Sequence, residues 1–422
     1  MNERVKESIR RATRALRDAE KPVRILRRIQ WHPDIRERFF ASGETELPKV
    51  DYALLDARPV LEHVSSARKL FDGSPMVRLW LNGIADVVES GARMLACLGT
   101  AEFTRHSRDL YGGPDLPLVD GMSTPLKLAE RLAETFSHIT EDDLGSPKRE
   151  HHQAADLATY LQKKVTAMFG DVGPIVEVVT ELGANVIAGS RRVRVRDGVS
   201  FSSRDFSQLV NHEIYVHVAT KLNGKAQDDL PILAAAHPGT TRTQEGLAVF
   251  AEFISGSLDP DRFKRLAERV LAIHMASEGA DFIEVYRFFV DRGVGREQAF
   301  ENSRRVFRGG LITGGAPFTK DSVYLDGLVR VHNFLRAVVA NHRTDCLQLL
   351  FCGKIDIEDV PALCELAAAG LCRDPRYLPP WAGDRRFLVA YLAYSGFLNQ
   401  IELGPVSEHY AALMANAPIV DD

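Results

Sequence analysis

Two histidines set five positions apart, His212 and His217, with a carboxylate beside the first, constrain this chain more than any other feature. The stretch reads Asn211-His212-Glu213-Ile214-Tyr215-Val216-His217. Two neutral imidazoles can hold Zn²⁺, and an adjacent carboxylate can take a proton from the water the metal activates. The usual helical spacing for such a pair is four, which leaves the side chains about 40° apart at 3.6 residues per turn. Five positions leave them about 140° apart. Both rings reach one ion only if the helix takes in an extra residue, as a π-bulge does, a feature often found at functional sites. The spacing therefore predicts a deformed helix and a third ligand elsewhere.

That helix is expected to open at Ser202 or Ser203, either able to cap it, with Asp205 in its first turn. Asn223-Gly224 is the expected stop. Phe206, Leu209, Val210, Ile214 and Val218 would bury one face. After a loop with Pro231 and His237-Pro238-Gly239, a second helix opens in TTRTQEGLAVFAEF, where Thr241 and Gln244 have capping-box spacing. Glu245 lies in its first turn and Glu252 two turns on, on the same side. A glutamate on a second helix completes a His₂Glu set with a fourth position open for water, and Glu245 is the ligand expected. Glu252 either holds a histidine N–H from behind or is a solvated helix residue. His237, in a loop before Pro238, is the rival ligand.

The remaining chain reads mostly as helix. Val5, Ile9, Ala12 and Leu16 at helical spacing make an amphipathic start, its twelve Lys/Arg and six Asp/Glu over residues 1–40 forming a solvated face rather than a basic arm. Helices are expected from Pro75 to Leu98, from Ala101 to Leu110, from Leu126 to a break at Gly145-Ser146-Pro147, and over 153–168. Gly112, Gly113, Pro114 and Pro117 make 111–125 a loop. From Gly170 the texture changes to short β-branched runs, PIVEVVTEL, NVIAG, RRVRVRD and VSFSS. Arg192, Arg194 and Arg196 alternate with Val193 and Val195, as in a strand with one face in water. Ala188, Gly189 and Ser190 would either admit a peptide laid along an edge strand or make a turn. Beyond residue 329 the pattern is helical again, with a buried helix expected from Arg385 to Leu398. His332 and His409 read as packing or surface residues.

The combination of NHEIYVH, LNGKAQ and TQEGLA resembles the bacterial QEGLA-motif proteins, a family linked by name to flavohemoglobin expression. The H-E-x-x-x-H and E-G-L-A pair is similar to that of the eukaryotic microtubule-associated tyrosine carboxypeptidases. The likeness continues through RVFRGG (305–310) and FTKDSVYLDGL (318–328), covering roughly 185–335. It implies that His212, His217 and Glu245 bind zinc and that Glu213 is catalytic. Tyr324, Lys320, Arg305 and Arg308, in the shared stretches, become candidates for stabilising the oxyanion. Arg308, next to Gly309 and Gly310, is also a candidate clamp for a terminal carboxylate. The expected fold is α+β, mostly helical, with a zincin-like (gluzincin-type) lobe whose small sheet lies beside the metal helix. Its expected regions are 1–150, 151–335 and 336–422.

Two function classes follow: a zinc metallocarboxypeptidase acting on a peptide or protein C-terminus, or a non-catalytic regulator that keeps a metal site. An intact Glu213 favours the first, because a structural site needs no base. The 422 residues carry a net charge of −4, which gives no general pull towards nucleic acid or anionic membrane. The longest apolar run, Phe387 to Leu398, is too short to span a bilayer. Five cysteines without C-x-x-C spacing suit reduced thiols and a cytoplasmic protein.

Overall fold

Caps and breakers set the helix boundaries of the first third of the chain. The computed structural model describes residues 1–140, 142–145, 151–180 and 182–415; Ser146 and Pro147 of the expected break, and Glu181 of the expected strand run, lie outside them. Helix α1 (Glu3–Glu20), capped by Asn2, buries Ile9, Ala12, Leu16 and Ala19. A short α2 (Asp34–Ala41) and α3 (Arg58–Arg68) precede the long α4 (Pro75–Ala96). Ser74 accepts from Val77 N at the start of α4, and Pro75 fills a position whose N–H would have no partner. Helix α5 (Ala101–Tyr111) stops at Gly112, whose φ of 77° a side chain would resist. Helices α6 (Pro125–Ser137) and α7 (Ala154–Phe169) lead to the sheet.

Strands β1 (Ile175–Val179), β2 (Val186–Ala188) and β3 (Arg192–Arg196) lie in the order β1-β3-β2. Central β3 runs parallel to β1 and antiparallel to β2. Val193 and Val195 are buried while Arg192 and Arg194 face water, as the alternation requires. Gly189 N–H donates to Arg192 O at 2.9 Å, so Gly189 and Ser190 open the β2–β3 turn while Ala188 still pairs with Val193 in the ladder. VSFSS makes no full strand. Phe201 forms only an isolated bridge with His152, because Ser202 already caps the next helix.

That helix, α8, is α-helical over Ser203–Leu209, π-helical over Val210–Val218 and α-helical again over Ala219–Lys225. Ser202 and Asp205 close a reciprocal capping box at its start. Gly224 is not the left-handed stop expected of it. It sits inside the last turn, where a Cβ would overlap the carbonyl of Leu233. Helices α9 (Thr241–Ile254), α10 (Pro260–Ser277), α11 (Phe282–Val290), α12 (Arg296–Phe307) and α13 (Val323–Ala340) follow. Helices α9 and α13 cross at Gly246 and Gly327, where a Cβ on either would strike the other helix's backbone. The C-terminal region holds α14 (Val360–Ala368), α15 (Arg386–Leu398) and α16 (Leu403–Met414). Helix α15 is not the buried helix expected: Leu388 and Leu392 are buried, whereas Phe387, Tyr394, Phe397 and Leu398 are exposed. Its apolar residues go round the helix, and only one side meets the protein, on α13.

Three cores result. The largest draws on all three regions read from the sequence, from Ile9 through Leu247 and Phe318 to Leu392. An aromatic core (Trp31, Phe39, Phe282, Tyr286, Phe300, Phe307) braces α11 and α12. The third joins α7, the sheet, and the face of α8 that carries Val210, Ile214 and Val218. Among the described residues, no helix is long and apolar enough to cross a membrane.

Candidate functional site

The π-helical turn resolves the awkward five-residue spacing. Its hydrogen bonds run to the fifth residue, as from Ala219 N–H to Ile214 O, which widens the turn by one residue. His212 and His217 thereby come side by side, with ring centroids 4.8 Å apart and planes at 87°. Glu245, in the first turn of α9, meets both: its Oε2 lies 3.6 Å from His212 Nε2 and 3.4 Å from His217 Nε2. One ligand atom from each residue falls within 4.8 Å of the others. Two imidazole nitrogens and a carboxylate oxygen are the donor chemistry a zinc or similar ion takes.

The supports behind these three are largely buried. His212 Nδ1–H donates to Glu252 Oε1 at 2.6 Å, which turns Nε2 towards Glu245. Glu252, with no exposed surface, also accepts from Arg262 Nε and Nη2, each at 3.0 Å. Burial alone would raise the Glu252 pKa, but Arg262 and His212 hold it at about 2. Lys354 Nζ donates to Gln244 Oε1 at 2.8 Å and to His217 O at 3.3 Å, tying α9 to the end of the π-turn. Gln244 also accepts from Thr220 Oγ1, so its side chain is a junction between α8 and α9 rather than half of a capping box. Thr240 precedes α9 without a side-chain cap, because a 3₁₀ turn at Pro238–Thr240 feeds straight into the helix.

The cluster opens on a cleft of about 400 Å³ lined by His212, Glu213, Tyr324, Arg305 and, across from them, Asn185 and Val186 beside β2. Burial pushes the Glu213 carboxyl up to about 7, against the pull of His212, and the backbone N–H of Ala188 faces it. Lys320 Nζ lies 3.0 Å from Glu245 Oε1, so its charge is committed to the third member of the cluster. Burial opposes ionisation of Glu245, yet Lys320 and the imidazoles keep it well below the usual carboxylate range. Arg305 lines the cleft but is held by Asp321, with Nε donating to Oδ2 at 2.5 Å and Nη2 to Oδ1 at 2.9 Å. Its Nη2 also reaches the Tyr324 hydroxyl at 3.5 Å.

Two expected residues are not brought to the cleft. The Arg308 guanidinium lies over the Phe318 ring, 5.7 Å from its centroid, with a buried Nε that has no partner among the described residues. His237 is buried against Gly239, away from the three-residue cluster. His332 stacks on Tyr391. Arg262, Arg269 and Lys354 escaped the sequence reading. A signal for the first existed: Glu252, inside the apolar run LAVFAEF, demands a buried cation.

The family model described as microtubule-associated tyrosine carboxypeptidase matches residues 37–400. The chain belongs to the microtubule-associated tyrosine carboxypeptidase family. Membership in this family, over most of the chain, marks it as a hydrolase of carboxypeptidase type with a peptide or protein as substrate. Among curated proteins, none matches the chain. The matched span contains the whole cleft, including α8, α9 and α13.

Proposed function

We propose that this chain is a zinc-dependent metallocarboxypeptidase of zincin-like design, with His212, His217 and Glu245 as ligands and Glu213 as general base. The observation that carries the reading is the convergence of two Nε2 atoms and one Oε2 atom beside a cleft that His212 and the Glu213 carboxylate line. The zinc would supply Lewis acidity and a water of lowered pKa. Glu213 takes the proton of the attacking water on a carboxylate oxygen and passes it to the leaving amine. Glu252 fixes the His212 tautomer by taking its Nδ1–H. Tyr324, whose hydroxyl lies on the cleft wall near Arg305, is the donor for the developing oxyanion; Lys320 holds Glu245 ionised instead. Strand β2, with β3 as its ladder partner, leaves an edge on which an extended substrate can pair. The motif Gln244-Glu245-Gly246-Leu247-Ala248 supports placing the chain with the bacterial QEGLA branch.

The test pairs metal content with activity on peptides varied at the C-terminal residue, for wild type and Glu213→Gln. One equivalent of zinc in both, with C-terminal trimming by the wild type alone, is expected. A wild type that binds no metal overturns the reading.

A further inference from the structure

A carboxypeptidase has to tell a chain end from the middle of a chain, and the mark of the end is a free carboxylate. We propose that Arg269, on α10, is the group that receives this carboxylate. The proposal rests on the carboxypeptidase reading of the cleft and adds its specificity determinant. Arg262, Arg265 and Arg269 are spaced three and four apart, so α10 turns one basic ridge towards the cleft, which all three line. Their commitments differ. Arg262 is spent on Glu252, and Arg265 is exposed. Arg269 is partly buried, yet it makes no hydrogen bond and no ion pair among the described residues. Its guanidinium lies against the face of Tyr324, 5.1 Å from the ring centroid.

The neighbours of Arg269 sharpen the contrast. Arg305 has Asp321 as a bidentate partner, so Asp321 acts on Arg269 through its field without an ion pair or hydrogen bond to it. Burial, and then Arg305, pull the Arg269 pKa down to about 10, and Asp321, already paired with Arg305, offsets this only in part. A planar guanidinium in a partly dry wall binds a carboxylate through two parallel N–H bonds, and a terminal carboxylate fills that need.

The position suits a single terminal residue. Lys320 Nζ lies 5.3 Å from the same Tyr324 centroid and 3.0 Å from Glu245 Oε1, so the Tyr324 ring touches both Arg269 and the cation that holds the ligand cluster. One residue advances the backbone by about 3.5 Å. A peptide with its scissile carbonyl by Glu213 has its terminal carboxylate one residue further along the same cleft, whose lining includes Tyr324 and Arg269. Arg308, the clamp expected from the sequence, lies over Phe318 outside the cleft.

The experiment separates this assignment from the activity itself. In the Glu213→Gln background, which binds without turnover, zinc-loaded protein is titrated with a pool of fluorescent hexapeptides varied at the last position, made once as free acids and once as C-terminal amides. The acids are expected to bind roughly 10- to 100-fold more tightly than the amides, the range of a charge-assisted pair. Adding Arg269→Gln should erase that ratio while zinc content and the amide affinity stay unchanged; Arg269→Lys should restore part of it. In the otherwise wild-type enzyme, Arg269→Gln should raise KM more than it lowers kcat. A preserved acid-over-amide ratio in Arg269→Gln, or equal binding of acids and amides by the parent, overturns the assignment. Preferential acid binding with no hydrolysis by the wild type would leave Arg269 in place and refute the peptidase reading instead.

Discussion

Glu252 performs two jobs with one carboxylate, and replacing it by glutamine separates them. The side chain keeps its size, so packing is spared. What goes is the negative charge that Arg262 faces with two 3.0 Å hydrogen bonds, in a pair whose side chains are 0% and 12% exposed. Stranding a buried cation in this way costs about 3–5 kcal/mol. The His212 Nδ1–H loses a 2.6 Å charge-assisted acceptor, and Nε2 is no longer fixed towards Glu245. Loss of such an outer partner weakens metal binding about 10- to 100-fold, or some 1.4–2.7 kcal/mol. Guanidinium denaturation of the metal-free protein reads the first effect, and competition against a chromophoric chelator reads the second. The double variant Glu252→Gln/Arg262→Met removes the stranded charge. It should recover most of the stability but none of the zinc affinity. The reasoning fails if Glu252→Gln unfolds at the wild-type denaturant concentration, or if the double variant binds zinc as tightly as wild type.

The glycines give a pair of opposite signs. Gly246→Ala forces a methyl into the backbone of Gly327 and should cost at least about 2–3 kcal/mol, while Gly83→Ala, on the exposed side of α4 with nothing within 4 Å, should gain about 1 kcal/mol. Denaturation midpoints decide both, and an unchanged Gly246→Ala would mean that the helices do not cross at backbone contact. Asp321 governs an acid transition: burial opposes its charge, but Arg305, Arg269 and Lys320 depress its pKa below the ordinary 3.8. Its contribution is therefore complete above about pH 4 and lost as the pH falls through the depressed value. Asp321→Asn should be less stable at neutral pH and show a flatter loss of stability below pH 4; parallel curves for the two proteins would refute this.

The convergence of His212, His217 and Glu245 was legible because few residue types can hold a metal and helical geometry limits where they stand. Five-residue spacing that an α-helix cannot use announced the π-turn between Val210 and Val218. The capping box at Ser202 and Asp205 and the alternation in Arg192–Arg196 are local rules written in adjacent residues, and they too could be read. Residues whose roles arise only from folding were hidden. Lys354 meets Gln244 across 110 positions, and nothing near either predicts the other. Arg269 is one arginine on a helix with several, and only Asp321 on Arg305 and Glu252 on Arg262 leave it conspicuous. Arg308 was misplaced for a related reason: its glycine-flanked position suggested an open loop, but Gly310 lets the chain fold tightly against Ala316 O. Helix α15 deceived through composition, since apolar residues on every side say nothing of which side is covered.

The cores also say how the site comes into being. Val210, Ile214 and Val218 root α8 in the small core around the sheet, whereas Val216 on the same helix belongs to the large core with α9 and α13. His212 and His217 thus stand on a seam between two bodies of packing, and Glu245 stands wholly on one side of it. The histidines and the glutamate meet only while both bodies are formed and docked. A fluctuation that loosens the sheet layer would dissolve the site while most of the helical body stayed folded, so amide exchange in β1–β3 and α7 should slow when a metal is bound, and exchange deep in α4 should not.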